Sequence, residues 1–141
     1  MNSIDQIFRS KFLRFALVGS LGFAVNEAAL YVCLGLGHLN KDQGWLPAFL
    51  VAVTFTWWGN RTITFRESAA DRGLLAEWAA FLAANSIGAL ANALVYFTLI
   101  HFAPPPISYP LIALAAGTLT GMAFNFVASQ RFVFRKKSAQ P

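Results

Sequence analysis

Amides and arginines occur together at the ends of two apolar segments, a combination that suits the binding of a phosphate group. Residues 55–66 read FTWWGNRTITFR, and residues 124–135 read FNFVASQRFVFR, 69 positions further along. The planar guanidinium of arginine matches the geometry of phosphate oxygens, and a neighbouring amide adds hydrogen-bond donors. The alternative is that these arginines only fix the orientation of the chain in a membrane. The candidate phosphate-binding residues are Asn60, Arg61, Asn125, Gln130 and Arg131.

A second group of polar residues lies inside the apolar segments and comprises Asn26, Glu27, Asn85 and Asn92. Hydrogen bonding between helices explains any one of these amides, whereas the whole set indicates a polar path. Glu27 is the acidic residue that the sequence places deepest in a segment. Its carboxyl could couple to protons or contact a substrate, hold helices in register through hydrogen bonds, or reach the outer interface.

The composition indicates that a membrane, rather than water, surrounds most of the chain. Of its 141 residues, 57% are hydrophobic and 12% charged, and the mean hydropathy is +0.53. Soluble domains carry about 25% charged residues. The net charge of +5 comes from cations at the ends of apolar segments, which does not predict nucleic-acid binding. Because no phosphate loop, metal-ligand cluster or nucleophile–base pair has a recognisable spacing, we predict no enzyme activity, cofactor or metal site.

Four apolar segments are each long enough to cross a bilayer as a helix, which takes roughly 20 residues. They cover residues 13–37, 46–65, 78–102 and 107–134. Polar or proline-containing stretches separate them, and the prolines of APPPISYP cannot continue a helix. The sequence therefore predicts an all-α integral membrane protein with four transmembrane helices in a single domain, residues 1–141.

The cations predict the orientation of these helices. Loops rich in lysine and arginine stay in the cytoplasm, and of the 11 such residues Lys41 alone lies in the first or the third loop. We therefore expect both termini in the cytoplasm. The other ten are Arg9, Lys11, Arg14, Arg61, Arg66, Arg72, Arg131, Arg135, Lys136 and Lys137.

An internal repeat relates the two halves of the chain. Residues 20–26 read SLGFAVN and residues 86–92 read SIGALAN, so the pattern S-x-G-x-x-x-N recurs 66 positions later. With the repeated phrase described above, this pattern predicts two helical hairpins, residues 9–66 and 75–135, related by an axis along the membrane normal. The alternative is chance similarity between two apolar segments.

Two stripes of small and polar residues, spaced four apart, lie on the second and fourth segments. Small residues let helices approach closely, so a packing seam is one interpretation. The other is a polar groove that opens toward the cytoplasmic leaflet, and the two are compatible. The stripes comprise Ala48, Ala52, Thr56 and Asn60, and Gly117, Gly121, Asn125 and Ser129.

Three stretches, FLRFALVGSLGFAVN at residues 12–26, NRTITFR at 60–66 and FNFVASQRFVFR at 124–135, carry a family resemblance. The chain resembles the GtrA-like family of small four-span membrane proteins over about residues 9–136, and also the membrane domain of some polyprenol-phosphate mannose synthases. It departs from the family pattern at Ile63 and Phe132, where the family often has tryptophan, and at Ser129–Gln130, which replaces a second Asn-Arg.

The resemblance implies a role in the synthesis of cell-surface polysaccharides or glycolipids. Such proteins are thought to move polyprenyl-phosphate-linked monosaccharides across the bacterial cytoplasmic (inner) membrane, or to assist the glycosyltransferases that use them. The expected partners are the lipid-linked sugar, membrane lipids, those glycosyltransferases and a second copy of the chain. A scaffold that recruits a glycosyltransferase is the first alternative. A proton-coupled multidrug exporter that uses Glu27 is the second.

Overall fold

The computed structural model of the chain describes residues 10–68 and 73–134, and for Lys41 and Asp42 the backbone only. Over these residues every regular element is a helix and there is no β-strand, which confirms the prediction of an all-α protein. The chain divides into two compact units, Met1–Ala69 and Ala70–Pro141. Each unit is described separately below.

The first unit contains two long helices that pack against each other. Helix α1 spans Lys11–Gly35, and helix α2 spans Lys41–Gly59. A five-residue π-helical turn, Asn60–Thr64, follows α2 directly, and a short 3₁₀ turn, Arg66–Ser68, follows it. The π turn contacts both long helices.

The start of α2 is fixed by a reciprocal pair of hydrogen bonds. The Asn40 side chain accepts from the backbone N–H of Gln43 at 2.9 Å, and the Gln43 side chain accepts from the backbone N–H of Asn40 at 3.2 Å. This capping box satisfies two backbone donors that the first turn of a helix leaves free. It explains why α2 begins at Lys41, five residues before the predicted apolar segment.

Removal of this cap is expected to weaken the helix end. We expect Asn40→Ala to lower the free energy of unfolding by about 1 kcal/mol, the usual cost of losing such a cap. Unfolding by dodecyl sulfate in mixed micelles, followed by helical circular dichroism, measures it. Asn40→Asp keeps the acceptor and serves as the control. Equal losses for the two variants would contradict the proposed capping role.

The second unit repeats this order of elements. Helix α3 spans Leu74–Phe102, helix α4 spans Pro110–Ala128, and a π-helical turn, Ser129–Val133, follows α4 directly. Helix α4 begins at residue 110 rather than at the predicted 107 because Pro110 occupies its first turn, where its fixed φ suits a helix start. Helix α3 begins at Leu74, four residues earlier than predicted.

Three helical segments are long and apolar enough to cross a membrane: Lys11–Gly35, Leu74–Phe102 and Pro110–Val133. Helix α2 is not among them. It begins with the polar stretch Lys41–Gly44, and its 19 residues leave only a short apolar part. The predicted span of residues 46–65 therefore corresponds to most of α2 and its π turn. The count of four membrane spans stays a prediction.

Residues at equivalent positions of the sequence repeat make the same kind of aromatic contact in the two units. Phe15 of α1 lies edge-on to Phe65 with ring centroids 6.2 Å apart, and Phe81 of α3 meets Phe134 at 6.1 Å. The first members of these pairs are 66 positions apart and the second members 69, as in the sequence repeat. The parallel arrangement of the repeats in a membrane stays a prediction.

Candidate functional site

The π turn of the first unit encloses the Asn60 side chain. Asn60 is only 1% exposed, and its Oδ1 accepts a hydrogen bond from Oγ1 of Thr64 at 2.8 Å. The backbone N–H of Phe65 donates to the Asn60 carbonyl at 2.8 Å, which closes the wide turn. The structure thus places Asn60 inside the helix end, where its side chain stabilises the turn that carries Arg61.

Two arginines lie at this end of the first unit. Arg61 is half-buried on the π turn. Arg14, in the first turn of α1, donates from Nη1 to the carbonyl of Ile63 at 3.1 Å and so joins α1 to the π turn. No local sequence pattern indicates this contact, because 49 residues separate its partners. Arg14 Nε is buried and has no hydrogen-bond partner among the described residues.

The π turn of the second unit has the same backbone closure but different side chains. The N–H of Phe134 donates to the carbonyl of Ser129 at 2.8 Å. Val133 stands where the first unit has Thr64, so it offers no hydroxyl, and the fully buried Ser129 Oγ has no partner in the described part of the chain. Gln130 and Arg131 are exposed. Of the five candidate phosphate-binding residues, these two are therefore the most accessible, and Arg61 is half-buried.

The small-residue stripe of α4 is a packing seam. A Cβ added to Gly117 would lie 2.5 Å from Oδ1 of Asn92, and one added to Gly121 would lie 2.7 Å from the carbonyl oxygen of Gly88. A Cβ on Gly88 would meet the Asn125 side chain, whose Oδ1 is buried without a hydrogen-bond partner among the described residues. Asn92 and Asn125 thus fill the close crossing of α3 and α4.

The other residues of the predicted polar path form hydrogen bonds within their own helices. Asn85 is half-buried and donates to the carbonyl of Phe81 on its own helix at 2.9 Å. In the first unit, Asn26 is half-buried and donates to Oε1 of Glu27 at 3.5 Å, while Glu27 itself is exposed. Asn26 and Glu27, neighbours in the chain, thus share a hydrogen bond, whereas no hydrogen bond joins Asn85 to Asn92 among the described residues.

A carboxyl that the sequence did not single out is fully buried. Glu77 is 0% exposed in the first turn of α3, whereas Glu27, the one expected deepest, lies at the surface. Glu77 lies on the same face of α3 as the buried Phe81, Ala84 and Gly88, at helical spacing. That spacing was the signal that would have found it.

The outer surface of the described helices is strongly apolar. Large hydrophobic side chains are widely exposed, among them Tyr31 at 79%, Leu75 at 78% and Phe102 at 85%. Exposing such an apolar surface to water is energetically unfavourable, whereas contact with lipid chains carries no such penalty. The cations Arg9, Arg72, Arg135, Lys136 and Lys137, on which the predicted orientation partly depends, lie outside the described residues.

Comparison with known proteins places most of the chain in one family. The sequence model of the family described as GtrA/DPMS, transmembrane domain, matches residues 14–134. None of the curated proteins compared with the chain matches it. Together with the three apolar helical segments, the match shows that the chain is a membrane protein.

Proposed function

The chain belongs to the GtrA/DPMS transmembrane-domain family, and from this membership we propose that it moves a polyprenyl-phosphate-linked monosaccharide across a bacterial cytoplasmic membrane. Both termini would lie in the cytoplasm, because the cations gather at the corresponding ends of the predicted spans. The product would serve the synthesis of a surface polysaccharide or glycolipid.

One observation carries this proposal: in each unit the second long helix continues directly into a π turn that holds an amide–arginine pair. The pairs are Asn60–Arg61 and Gln130–Arg131. π turns are rare and are frequent at functional sites. An arginine at the end of an apolar helix suits a lipid whose phosphate lies at the interface and whose tail lies among the acyl chains.

The burial of the side chains supports different roles for the candidate residues. In each unit taken by itself, the accessible side chains of the π turn would contact a phosphate: Arg61 in the first unit, and Gln130 and Arg131 in the second. Asn60 would support the first π turn from within, and Asn125 would pack in the crossing of α3 and α4. Asn26 and Glu27 in the first unit and Asn85 in the second would meet the sugar, whereas the predicted path residue Asn92 lies in the close crossing of α3 and α4.

A transport assay in liposomes tests the proposal. With purified protein and a fluorescent polyprenyl-phosphate sugar, we expect Arg61→Ala to slow flipping about tenfold, because one charge-assisted hydrogen bond contributes roughly that factor. Asn85→Ala should slow it less. The matched control is Arg66→Ala, which removes an exposed arginine from the neighbouring 3₁₀ turn and should leave the rate within about twofold.

Two results would contradict the proposal in different ways. Unchanged flipping in Arg61→Ala and Asn85→Ala would refute the assignment of these residues. No flipping by the wild-type protein, together with a stable complex with a glycosyltransferase, would favour the scaffold. Such a scaffold would need a surface other than the GTLTG stripe, because Gly117 and Gly121 are buried against α3.

The multidrug exporter is the weaker alternative. It would use Glu27, which is exposed and accepts a hydrogen bond from the neighbouring Asn26. Loss of drug resistance in cells that carry Glu27→Gln would support this alternative, and unchanged resistance would exclude it.

A further inference from the structure

The guanidinium of Arg14 lies at the junction between α1 and the π turn of the first unit. Its Nη1 donates to the carbonyl of Ile63 at 3.1 Å, which fixes one edge of the planar group. Arg61 lies two residues before Ile63 on the same turn, so a second cation belongs to this end of the unit. Among the described residues, the guanidinium is therefore oriented by a backbone carbonyl and not by a carboxylate.

On the other edge of the guanidinium, one N–H donor lacks a hydrogen-bond acceptor among the described residues. Arg14 Nε is buried and has no hydrogen-bond partner among residues 10–68 and 73–134. Burying an N–H group without an acceptor lowers the stability of a fold, and it lowers it more when the group is charged. The described carboxylates of this unit do not pair with Arg14: Glu27 lies about 20 Å along α1, at 1.5 Å per residue, and Glu67 is exposed on the 3₁₀ turn.

The position of Arg14 along the chain favours an anion that arrives from the membrane surface. Arg14 lies in the first turn of α1, which begins after Ser10, whose side chain accepts from the backbone N–H of Leu13. Helix N-termini favour negative charge. Helix α1 is also one of the three segments that could cross a membrane, and in that case its first turn would lie at the depth of lipid headgroups.

We propose that Arg14 binds the phosphate of the lipid-linked sugar, with Nη1 kept on the Ile63 carbonyl and Nε donating to a phosphate oxygen. An adjacent terminal N–H of the guanidinium completes a two-point contact, the geometry in which arginine binds phosphate best. Because Nε is buried, binding there would require the phosphate oxygen to displace the atoms that now cover it. This inference rests on the proposed function and adds to it the residue that orients the headgroup.

The proposed ligand of Arg14 is a phosphate carried by a polyprenyl lipid. Arg14→Lys keeps the positive charge but loses the fork of donors, and Arg14→Gln removes the charge. Arg66→Lys is the control, since Arg66 is an exposed arginine on the adjacent turn. Binding of farnesyl phosphate to the purified full-length protein is measured in a maltoside detergent, which contains no phosphate. Inorganic phosphate and phosphatidylglycerol are titrated in parallel.

We expect Arg14→Lys to weaken the binding of farnesyl phosphate about tenfold and Arg14→Gln to weaken it more, with Arg66→Lys within about twofold of wild type. The rise in melting temperature that farnesyl phosphate causes should shrink in Arg14→Lys. A purely structural role would instead lower the melting temperature of the free protein and leave the ligand-induced rise unchanged.

Three results would overturn the proposal. They are unchanged binding in Arg14→Lys, equal binding of inorganic phosphate, and equal binding of phosphatidylglycerol. The outcome is separable from that of the flipping assay. Arg14-dependent binding without transport would refute the flippase and leave this inference standing, whereas transport with binding that does not depend on Arg14 would refute this inference alone.

Discussion

Replacing Gly88 with alanine is expected to destabilise the second unit by about 2 kcal/mol, because the crossing of α3 and α4 has no space for a methyl group. The added Cβ would meet the Asn125 side chain and would lie 2.6 Å from the carbonyl oxygen of Gly121. Overpacking costs about 1–3 kcal/mol, and here a backbone atom prevents the usual relief. Alanine has a greater helix propensity than glycine, which restores about 1 kcal/mol of stability. We therefore take the clash itself to cost about 3 kcal/mol, the upper end of the overpacking range.

The matched control is Gly19→Ala on α1, where an added Cβ has no atom within 4 Å. This change should stabilise the protein by up to about 1 kcal/mol, because it carries the gain in helix propensity without a clash. Dodecyl sulfate unfolding in mixed micelles gives both free energies. If Gly88→Ala proves as stable as Gly19→Ala, the statement that the crossing of α3 and α4 leaves no space for a methyl group is wrong.

The same experiment distinguishes the two units. At Gly22, the equivalent position in α1, an added Cβ would meet the Cγ2 methyl of Thr56. Thr56→Ser removes that methyl and should therefore rescue Gly22→Ala. Asn125→Ala should not rescue Gly88→Ala, because the Gly121 carbonyl stays in place. Rescue of both would show that neither clash involves backbone.

Replacing Thr64 with valine is expected to destabilise the first unit by about 2 kcal/mol. The two side chains have nearly the same shape, but valine cannot donate to Oδ1 of Asn60, which stays buried. A buried acceptor that loses its donor costs about 1–3 kcal/mol. Because the change is nearly isosteric, the loss should show as lower stability with the same helical content, measured by the same unfolding assay.

The second unit supplies the reverse substitution as a control. Val133→Thr adds a hydroxyl one helical turn from the buried Ser129 Oγ, which has no partner among the described residues. We expect it to leave stability unchanged or to raise it by up to about 1 kcal/mol, the net worth of one hydrogen bond. A loss of stability as large as that of Thr64→Val would contradict the idea that the two turns differ only in this satisfied acceptor.

The helical class could be predicted from the sequence because apolar runs, breakers and small-residue stripes are local signals. The GTLTG stripe on α4 was open to two interpretations, and the burial of Gly117 and Gly121 against α3 supports the packing seam. The four-residue spacing identified those residues correctly. A polar groove at the end of this stripe would depend on the surrounding lipid and on a ligand, and the spacing of residues carries no information about either.

The sequence was less informative where a tertiary contact decides the outcome. That Asn60 binds a phosphate stays a prediction, but no sequence pattern indicated that Thr64 donates to the Asn60 side chain, which is only 1% exposed in the helix end. The sequence singled out Glu27 from its depth in an apolar run, but depth along a helix does not say which way a side chain points. Glu77 is buried because it lies on the seam face of α3, and the Arg14–Ile63 bond joins residues too far apart for any local pattern.

The π turns have a consequence for how the seams wind around their helices. In an α-helix, residues four apart advance by about 40° more than a full turn, so a stripe with that spacing drifts sideways with each step. The wider π turn takes up more residues per revolution and reverses part of this drift. As a result Thr64 is buried like Asn60, which begins the π turn, at the end of a stripe that starts at Ala48. A spacing of four that continues too long for a straight α-helix is thus itself a mark of a locally unwound helix end.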